Sequence, residues 1–584
     1  MEAVFGTNLT LWDLVVLAFY LFFKFAIGFV YKSFSKDASD YFRGGGSMRW
    51  WMVGASAFMT QFSAWTFTGA AGKAYIDGAL VATIFFANAL GYFLNYFITS
   101  YRFRRMRVIT PIDGVRQRFG ALNEQVFTWT QVPMRVLYAG IWLNGLAIVV
   151  SSIFNIDPII TVWIVGLSVL VMSVAGGSWA VIASDFIQVL LLMCITLVLC
   201  VFALAHPSIG GLGGLISKAP EHHFSFASAS DARFLYLWIF SAFFIQGFKL
   251  NSMFDAYRYL CVKNDRQARK ASLMAGLLML IGPLIWFIPP MAARIIEPNM
   301  AGVFPALSNP SEGAFLFMGL EVLPVGMIGL LVCSLFAATM SSMDSGLNVN
   351  AGIFVSNFYK PILRREAGGK ELFLVGKVMS AVFGILIILA GLLWLTLKDW
   401  NLFDIMTVFG SMIAIPVAMP LVWGLFIKSS PRWSGWSTVL IGLVFSLLVK
   451  KAEQDGWFGL GELVGRERSD FLYIYSGLGN VVICSIWFMA TVQIGKWFKY
   501  KPEPEVEEFF ENQKLPMDPT GENISDNRQS LAMGRLCLIY GGFIGLLGAL
   551  IPNNFGGRLS FFFCALIIGG IGLALYRIGR KIRN

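Results

Sequence analysis

The residues best suited to chemistry lie in one serine-rich apolar segment, FAATMSSMDSGLN. Four of its residues follow the spacing i, i+3, i+4 and i+7 that puts them on one side of a helix, namely Ala338, Ser341, Ser342 and Ser345. Asp344 flanks that side. Hydroxyl, carbonyl and carboxylate oxygens are the ligands that hard cations prefer. The pattern is typical of a site for a monovalent cation, and a close helix crossing is the alternative interpretation.

Two further apolar stretches are interrupted by polar residues and glycines. The first, MTQFSAWTFTGAAGKAY, carries Gln61, Ser63 and Thr66. The second, FFIQGFKLNSMFDAYR, carries Gln246, Gly247, Lys249, Asn251 and Asp255. A break in each helix would free backbone carbonyls and amides that can bind a cation or a carboxylate. Close helix packing through small polar residues is again the alternative.

The composition places these segments in lipid. Of 584 residues, 57% are apolar and 14% are charged, and the mean hydropathy is +0.68. Soluble proteins are about 45–50% apolar and about 25% charged. A soluble enzyme, a nucleic-acid-binding module and a secreted disulfide scaffold are therefore excluded. The sequence has no HExxH, GxSxG or Walker A motif, so we expect no enzyme activity and no organic cofactor.

Apolar runs of about 20 residues predict an all-α integral membrane protein with about fifteen spans. The predicted spans are 11–31, 50–71, 79–101, 126–154, 158–175, 178–205, 234–257, 271–293, 322–357, 371–397, 402–427, 434–449, 470–495, 536–552 and 559–576. The two interrupted stretches fall in the second and seventh spans, which cross in opposite directions. Broken helices at matching positions predict an inverted repeat with a discontinuous first helix in each half.

Basic residues predict the orientation. With the C-terminal tail inside, most Lys and Arg lie in inside loops, most densely at 102–107 and 258–270. The positive-inside rule then places the N-terminus outside and the C-terminus in the cytosol, in an inner or plasma membrane. The net charge of +11 is thus attributed to topology, and no nucleic-acid partner is expected.

Charged residues within spans cost at least about 2.5–3.5 kcal/mol each, so they are usually paired or functional. Asp185 and Asp344 are the two span aspartates with the clearest context. Arg135 has three interpretations: an ion-pair partner for a span aspartate, a side chain extending to the inner face, or a bidentate clamp on a solute carboxylate. Lys73 is expected to extend to the outer surface, and Lys249 is expected either to do the same or to line the cavity.

The expected organisation has five parts. They are an N-terminal extra helix and cytosolic loop at 1–48, an inverted-repeat core at 49–430 with repeats 49–205 and 233–430, two further helices at 431–495, a cytosolic linker at 496–535, and two C-terminal helices with a basic tail at 536–584.

Four motifs, in this order, carry a resemblance to a known family: SDYFRGGG, WWMVGASAFMTQFSA, GGSWAVIASDFIQ and FAATMSSMDSGLN. Over about residues 11–495 the chain resembles the sodium:solute symporter family. The resemblance implies the leucine-transporter type of fold, with five plus five inverted helices after one leading helix. It also implies sodium as the co-transported ion.

The resemblance implies two sets of sodium ligands. The common site would use backbone carbonyls of Met59, Phe62 and Ala338 and hydroxyls of Ser341 and Ser342. A second site, found in some members, would involve Asp185, Ser341, Asp344 and Ser345. Asp344 stands where some members have serine, so the number of coupled sodium ions stays open.

For the solute, the implied contacts are Gln61, Ser63, Thr66, Phe85, Asn88, Arg135 and Phe248. In the sialic acid branch the arginine matching Arg135 meets the substrate carboxylate. Phe85 stands where sugar and sialic acid transporters carry a polar residue, and Asn88 could compensate for it. Trp65, Phe85, Phe86 and Phe248 could form an aromatic stack or gate.

We therefore predict a sodium-coupled symporter that imports a small polar organic solute by alternating access, with a sugar or a sugar acid such as sialic acid favoured. A symporter for another carboxylate, an amino acid or a vitamin is the alternative. A transporter-like receptor and a channel are rivals from other classes. The predicted partners are the solute and the lipid bilayer, and the oligomeric state is open.

Overall fold

The computed structural model describes residues 9–32, 44–154, 156–173, 178–224, 232–305, 307–397, 400–457, 463, 465–517 and 527–581. Regular structure in these ranges is helical, apart from an isolated bridge between Met48 and Val262. The α-helices are α1 Leu11–Lys32, α2 Trp50–Thr60, α3 Gly69–Asp77, α4 Ala82–Leu94, α5 Ser100–Arg105, α6 Pro111–Phe154, α7 Pro158–Ser173, α8 Ser178–Ala205, α9 Gly211–Lys218, α10 Ala232–Leu250, α11 Tyr257–Leu260, α12 Asp265–Trp286, α13 Ile288–Ile296, α14 Met300–Val303, α15 Ala314–Val322, α16 Met327–Ile353, α17 Gly369–Leu395, α18 Leu402–Phe409, α19 Ile415–Phe426, α20 Ser434–Gln454, α21 Gly465–Trp497, α22 Pro504–Lys514, α23 Asn527–Leu550 and α24 Phe555–Lys581.

The predicted spans correspond to helices of suitable length. Within the described ranges, 12 helices are long and apolar enough to cross a membrane, and Pro158–Val171 and Leu235–Leu250 are shorter apolar helices. The one further predicted span, 50–71, is a broken segment. The helix around span 126–154 begins earlier, at Pro111, and bends at Gly120, where φ is 82°.

The first break separates α2 from α3. After α2 ends at Thr60, the chain is extended at Ser63 and forms a short 3-10 helix at Ala64–Phe67. The Ser63 hydroxyl accepts a hydrogen bond from the Trp65 amide at 3.2 Å, which favours this local turn over a continued α-helix. At Gly72 an added Cβ would lie 3.0 Å from the Glu312 amide nitrogen, so the glycine permits close packing of α3.

The second break separates α10 from α11, with a short 3-10 helix at Met253–Ala256 between them. Asn251 interrupts the helix because its amide nitrogen donates to the carbonyls of Gly91 at 3.1 Å and Gly247 at 2.8 Å. Asn95 donates to the Leu250 carbonyl at 3.1 Å. These bonds satisfy carbonyls near the break. Both predicted discontinuous helices are therefore present.

The leading helix α1 packs against α8 and α16. The C-terminal helices α23 and α24 pack along each other, and α23 contacts α1 through aromatic side chains. The rings of Phe19 and Phe543 stack at 3.5 Å, and those of Phe23 and Tyr540 lie 4.9 Å apart. The last two helices therefore extend the apolar core around α1. The seven cysteines are buried and free.

The acidic linker contains a docked helix, α22. Its Val506 and Phe509 are buried, and Arg432 forms ion pairs with Glu503 and Glu505. Arg105 donates to the Gln513 carbonyl at 2.8 Å. The division of the chain into the five predicted parts stays a prediction, but part of the linker is ordered against the core.

Candidate cation and solute site

Ser342 joins the end of α2 to α16. Its hydroxyl donates to the carbonyl oxygens of Met59 at 3.1 Å and Phe62 at 2.5 Å. On the same helix, the Thr339 hydroxyl accepts from the Ala64 amide at 3.0 Å. The two helices therefore meet where the break frees both backbone carbonyls and a backbone amide.

The five residues expected at the common sodium site lie close to this junction. They are Met59, Phe62, Ala338, Ser341 and Ser342, and each is at most 1% exposed. Ala338 precedes Ser342 by one helical turn, so its carbonyl belongs to the same part of α16. Buried carbonyl and hydroxyl oxygens at a helix break provide suitable ligands for a desolvated monovalent cation.

Asp185 lies beside this junction on α8 and is 1% exposed. It accepts a hydrogen bond from the Ser56 hydroxyl, and the Ser341 side chain also hydrogen-bonds it. The Arg258 guanidinium lies 3.7 Å from its Oδ2 atom. A buried carboxylate needs such partners because desolvation disfavours its charge.

Asp344 has a partner that the sequence analysis did not assign to it. The Lys24 ammonium of α1 lies 2.9 Å from its Oδ2 atom, and the two side chains are 10% and 5% exposed. The carboxylate expected in a second sodium site is thus ion-paired with a protein cation. The side chain of Ser345, the fourth residue of that expected site, lies outside the described part of the structure.

Arg135 and Asp255 both line a cavity beside the two breaks, which Thr60, Gln61 and Arg258 also line. Gln61 donates to Asp255 at 3.4 Å. With the Gln131 amide oxygen facing the guanidinium, Arg135 donates to it at 3.0 and 2.8 Å.

The Lys249 ammonium and the Arg135 guanidinium both stabilise the charge of the Asp255 carboxylate. Lys249 also lies 5.4 Å from the centre of the Tyr138 ring. Asp255 was not among the expected site residues, whereas Lys249 was expected either to extend to the outer surface or to line the cavity. Their position in FKLNSMFDAYR, on both sides of the break, was the available signal.

The aromatic residues expected around the solute are only partly stacked on one another. Trp65 stacks on Phe403 at 5.7 Å and lies 6.3 Å from Phe85, so part of the predicted aromatic stack is present. Phe248 packs instead on Trp423 at 6.0 Å. The structure therefore does not show Phe248 as part of the Trp65 stack.

The polar residues expected around the solute are mostly buried near the first break. Ser63 and Thr66 are 2% and 1% exposed, and Asn88 is 9% exposed. The Thr66 hydroxyl has no hydrogen-bond partner among the described residues. A buried hydroxyl without a partner is costly unless a ligand or water satisfies it.

A charged cluster that the sequence analysis missed lies at the far end of α3. Lys73 is 9% exposed and its ammonium lies 3.3 Å from Asp77 and 3.5 Å from Asp404. The prediction that Lys73 extends to the outer surface is therefore wrong, because these two carboxylates compensate its charge in a buried position.

Nearby, the buried Glu312 accepts from the Leu402 amide at 2.8 Å. Burial raises the pKa of the Glu312 carboxyl to about 7, and the hydrogen bond from Leu402 only partly opposes this.

Residues 41–442 match the model of the Sodium:solute symporter family. The chain belongs to the sodium:solute symporter family. The predicted family is thus confirmed, and the symporter's relatives are transporters, not enzymes.

Several curated relatives match most of the symporter. Sodium/myo-inositol cotransporter 2 of Oryctolagus cuniculus is 28% identical over 487 residues, which cover 75% of this chain and 69% of the relative. Sodium/sialic acid symporter SiaT of Proteus mirabilis (strain HI4320) is 25% identical over 452 residues, covering 76% and 89%. The sodium/glucose cotransporter of Vibrio parahaemolyticus is 28% identical over 416 residues, covering 63% and 73%.

Solved structures confirm the predicted fold of the symporter. A Na+-coupled sialic acid symporter in a substrate-bound outward-open state matches with a TM-score of 0.65 at 21% identity, covering 84% of this chain and 99% of that chain. Mhp1, a nucleobase-cation-symport-1 family transporter, matches with a TM-score of 0.51 at 13% identity, covering 81% and 99%. The symporter therefore has the inverted-repeat fold of the leucine-transporter type.

Proposed function

We propose that the symporter uses one cation site at Ser342 and one solute site between the two breaks to import a hydroxylated carboxylate, a sugar acid such as sialic acid. Sodium moving down its gradient would drive uptake across an inner or plasma membrane, with the N-terminus outside and the C-terminus in the cytosol.

The observation that carries this proposal is a charge imbalance beside the cavity. Arg135 and Lys249 act on one carboxylate, Asp255. Arg258, the next cation along the chain, lies against Asp185 instead. Two cations for one carboxylate leave an excess positive charge in a partly buried site, where an anionic solute would be stabilised. A guanidinium is also suited to bidentate contact with a carboxylate.

Neutral groups around the cavity fit the hydroxylated part of such a solute. The Gln61 amide and the Thr60 hydroxyl, at the end of α2, both line the cavity. Phe254 and Tyr257, at the second break, also line the cavity and offer apolar ring surface to a sugar ring. Solute pockets commonly combine apolar walls with a few such polar groups.

Sodium would couple to the solute through the first break. A cation among the carbonyls of Met59 and Phe62 and the Ser342 hydroxyl would stabilise the contact of α2 with α16. Gln61 and Ser63 lie next to those carbonyls in sequence, so the same segment would shape the solute site. Coupling then follows because each ligand favours the conformation that the other one binds.

A neutral sugar or cyclitol is the second candidate. With the Gln131 amide oxygen facing it, the Arg135 guanidinium donates twice to Gln131, and it lines the same cavity as Asp255, so it has protein partners without a solute carboxylate. Relatives named as myo-inositol and glucose cotransporters also favour this alternative.

Uptake into proteoliposomes tests both candidates. We expect purified symporter to accumulate radiolabelled N-acetylneuraminic acid when an inward sodium gradient is imposed, and not with an equal potassium gradient. Myo-inositol and glucose are assayed in parallel. Accumulation of a neutral solute alone would contradict the acid assignment, and equal uptake with potassium would contradict sodium coupling.

Arg135→Lys sharpens the comparison. A lysine keeps the charge but not the bidentate geometry, so acid uptake should fall about tenfold or more. Uptake of a neutral solute should fall far less. Lys377→Arg, on the exposed side of α17 next to Phe373, is the matched control and should leave uptake unchanged.

A further inference from the structure

The ion pair between Lys24 and Asp344 connects the leading helix α1 to the helix that carries Ser342. Its two atoms lie 2.9 Å apart, and both side chains are nearly buried. Lys24 lies on α1, which precedes both repeats, and Asp344 follows Ser342 by two residues on α16. An element outside the repeats thus contributes a fixed positive charge next to the cation site.

The carboxylates of this region already have protein cations. Asp344 has Lys24, and Asp185 has Arg258 at 3.7 Å and is also influenced by Lys24. Two carboxylates and two cations sum to zero. An additional sodium ion between Asp185 and Asp344 would give this buried group a net positive charge, which a low dielectric opposes.

The Lys24 side chain is also enclosed. It lines a small cavity with Ser184 and Gln188 of α8 and Tyr540 of the C-terminal pair. Gln188 donates to the Tyr20 hydroxyl at 3.1 Å, so α1 and α8 are joined beside the lysine. Burial of Lys24 favours retention of the ion pair, because a charge that leaves its partner in this buried position would not be solvated by water either.

We propose that the Lys24 ammonium takes the place of a second sodium ion, so that this symporter binds one sodium ion per transport cycle. The ammonium is a compact monovalent cation that neutralises Asp344 as a bound sodium ion would. Unlike sodium, it is covalently attached and cannot be released into the cytosol. This inference rests on the proposed sodium site at Ser342 and specifies how many ions accompany the solute.

Sodium binding to the purified full-length protein tests the inference without a solute. Equilibrium binding of radioactive sodium in choline chloride buffer should give one ion per wild-type protein. Lys24→Met removes the ammonium and keeps an apolar stem of similar length, so Asp344 should then recruit a second ion. The double variant Lys24→Met/Asp344→Asn has neither charge and should return to one ion. Lys24→Arg, which keeps the charge, should also bind one.

The number of bound sodium ions tests the role of Lys24 separately from the sodium site at Ser342. Two ions bound to the wild type, or one bound to Lys24→Met, would overturn the role of Lys24. No sodium bound to the wild type would contradict the sodium site itself, which is the separate failure of the proposed function. If Lys24→Met cannot be purified in folded form, Lys24→Gln replaces it in the same count, with the same expected values.

Transport stoichiometry gives a second measurement. With the membrane potential held at zero, a tenfold sodium gradient supports about tenfold accumulation of solute for one coupled ion and about hundredfold for two. Wild type should reach the lower limit with whichever radiolabelled solute the uptake panel identifies. Accumulation well above that limit in the wild type would contradict a single coupled sodium ion.

Discussion

The two broken helices satisfy their free backbone groups in different ways. At the first break, neutral hydroxyls of α16 bridge the ends: Ser342 donates to two carbonyls and Thr339 accepts from the Ala64 amide. At the second break, the Asn251 amide bonds carbonyls, and Lys249 and Asp255 add opposite charges on either side. Both repeats begin with a broken helix, but the side chains at the two breaks differ in charge.

This difference suggests a division of roles. A neutral, oxygen-rich break can accept a cation that brings its own charge, whereas a break that already holds charges is suited to an anion or to a network of polar contacts. The largest expected effects should therefore come from changing charge at the second break, and smaller ones from removing single hydroxyls at the first.

Asp255→Asn should have the largest effect. It leaves Lys249 and Arg135 without their shared carboxylate, which should lower the free energy of unfolding in detergent by about 3 kcal/mol. N-acetylneuraminic acid should restore part of this loss, because its carboxylate supplies the missing negative charge. Thermal unfolding with and without the acid measures both effects.

Asp157→Asn is the matched control for that variant. Asp157 caps the start of α7 by accepting from the Ile159 amide at 2.8 Å, and asparagine can cap equally well. Its stability should stay near that of the wild type. An Asp255→Asn protein as stable as this control would show that the second break does not depend on its charges.

Glu312, near the end of the first broken helix, should make stability depend on pH. Its pKa in the folded protein is about 7, above that of an unfolded glutamate. Between these values the folded protein binds more protons than the unfolded chain, so stability falls as pH rises. The loss should reach about 2–3 kcal/mol between pH 5 and 8 and then level off.

Glu312→Gln should remove this pH dependence while its amide oxygen still accepts from Leu402. The quantity to compare is the difference in unfolding free energy between wild type and variant at each pH. Other titrating groups cancel in that difference, including His223, whose pKa burial lowers to about 4. A difference that does not change between pH 5 and 8 would mean that Glu312 is not titrating in this range.

Much of the fold could be predicted from the sequence, because its strongest signals are local. Apolar length predicts the spans, and Gln61 and Asn251 mark both breaks within their own segments. The helical spacing of Ser341 and Ser342 also predicts that they share a surface, independent of what packs there.

The partners of long charged side chains could not be predicted in the same way. Lys24 and Asp344 are separated by 320 positions, and their pairing depends on how α1 packs on α16. Lys73 could equally extend to water from its helix. Asp77 lies one turn away on the same helix, but the second carboxylate of the buried cluster, Asp404, comes from α18. Such contacts are set by tertiary packing, which a single sequence does not specify.

The smallest expected effects distinguish the two hydroxyls of the first break. Ser342→Ala removes a proposed sodium ligand and should raise the sodium concentration for half-maximal uptake about tenfold, the equivalent of about one hydrogen bond to a charged group. Thr339→Val removes only the acceptor for the Ala64 amide, so it should lower stability by about 1 kcal/mol with or without sodium. Ser334→Ala, whose hydroxyl bonds the Leu331 carbonyl within α16, controls for loss of a buried hydroxyl. If Ser342→Ala keeps the wild-type sodium response, the neutral break is not the cation site, and the contrast with the second break would be structural only.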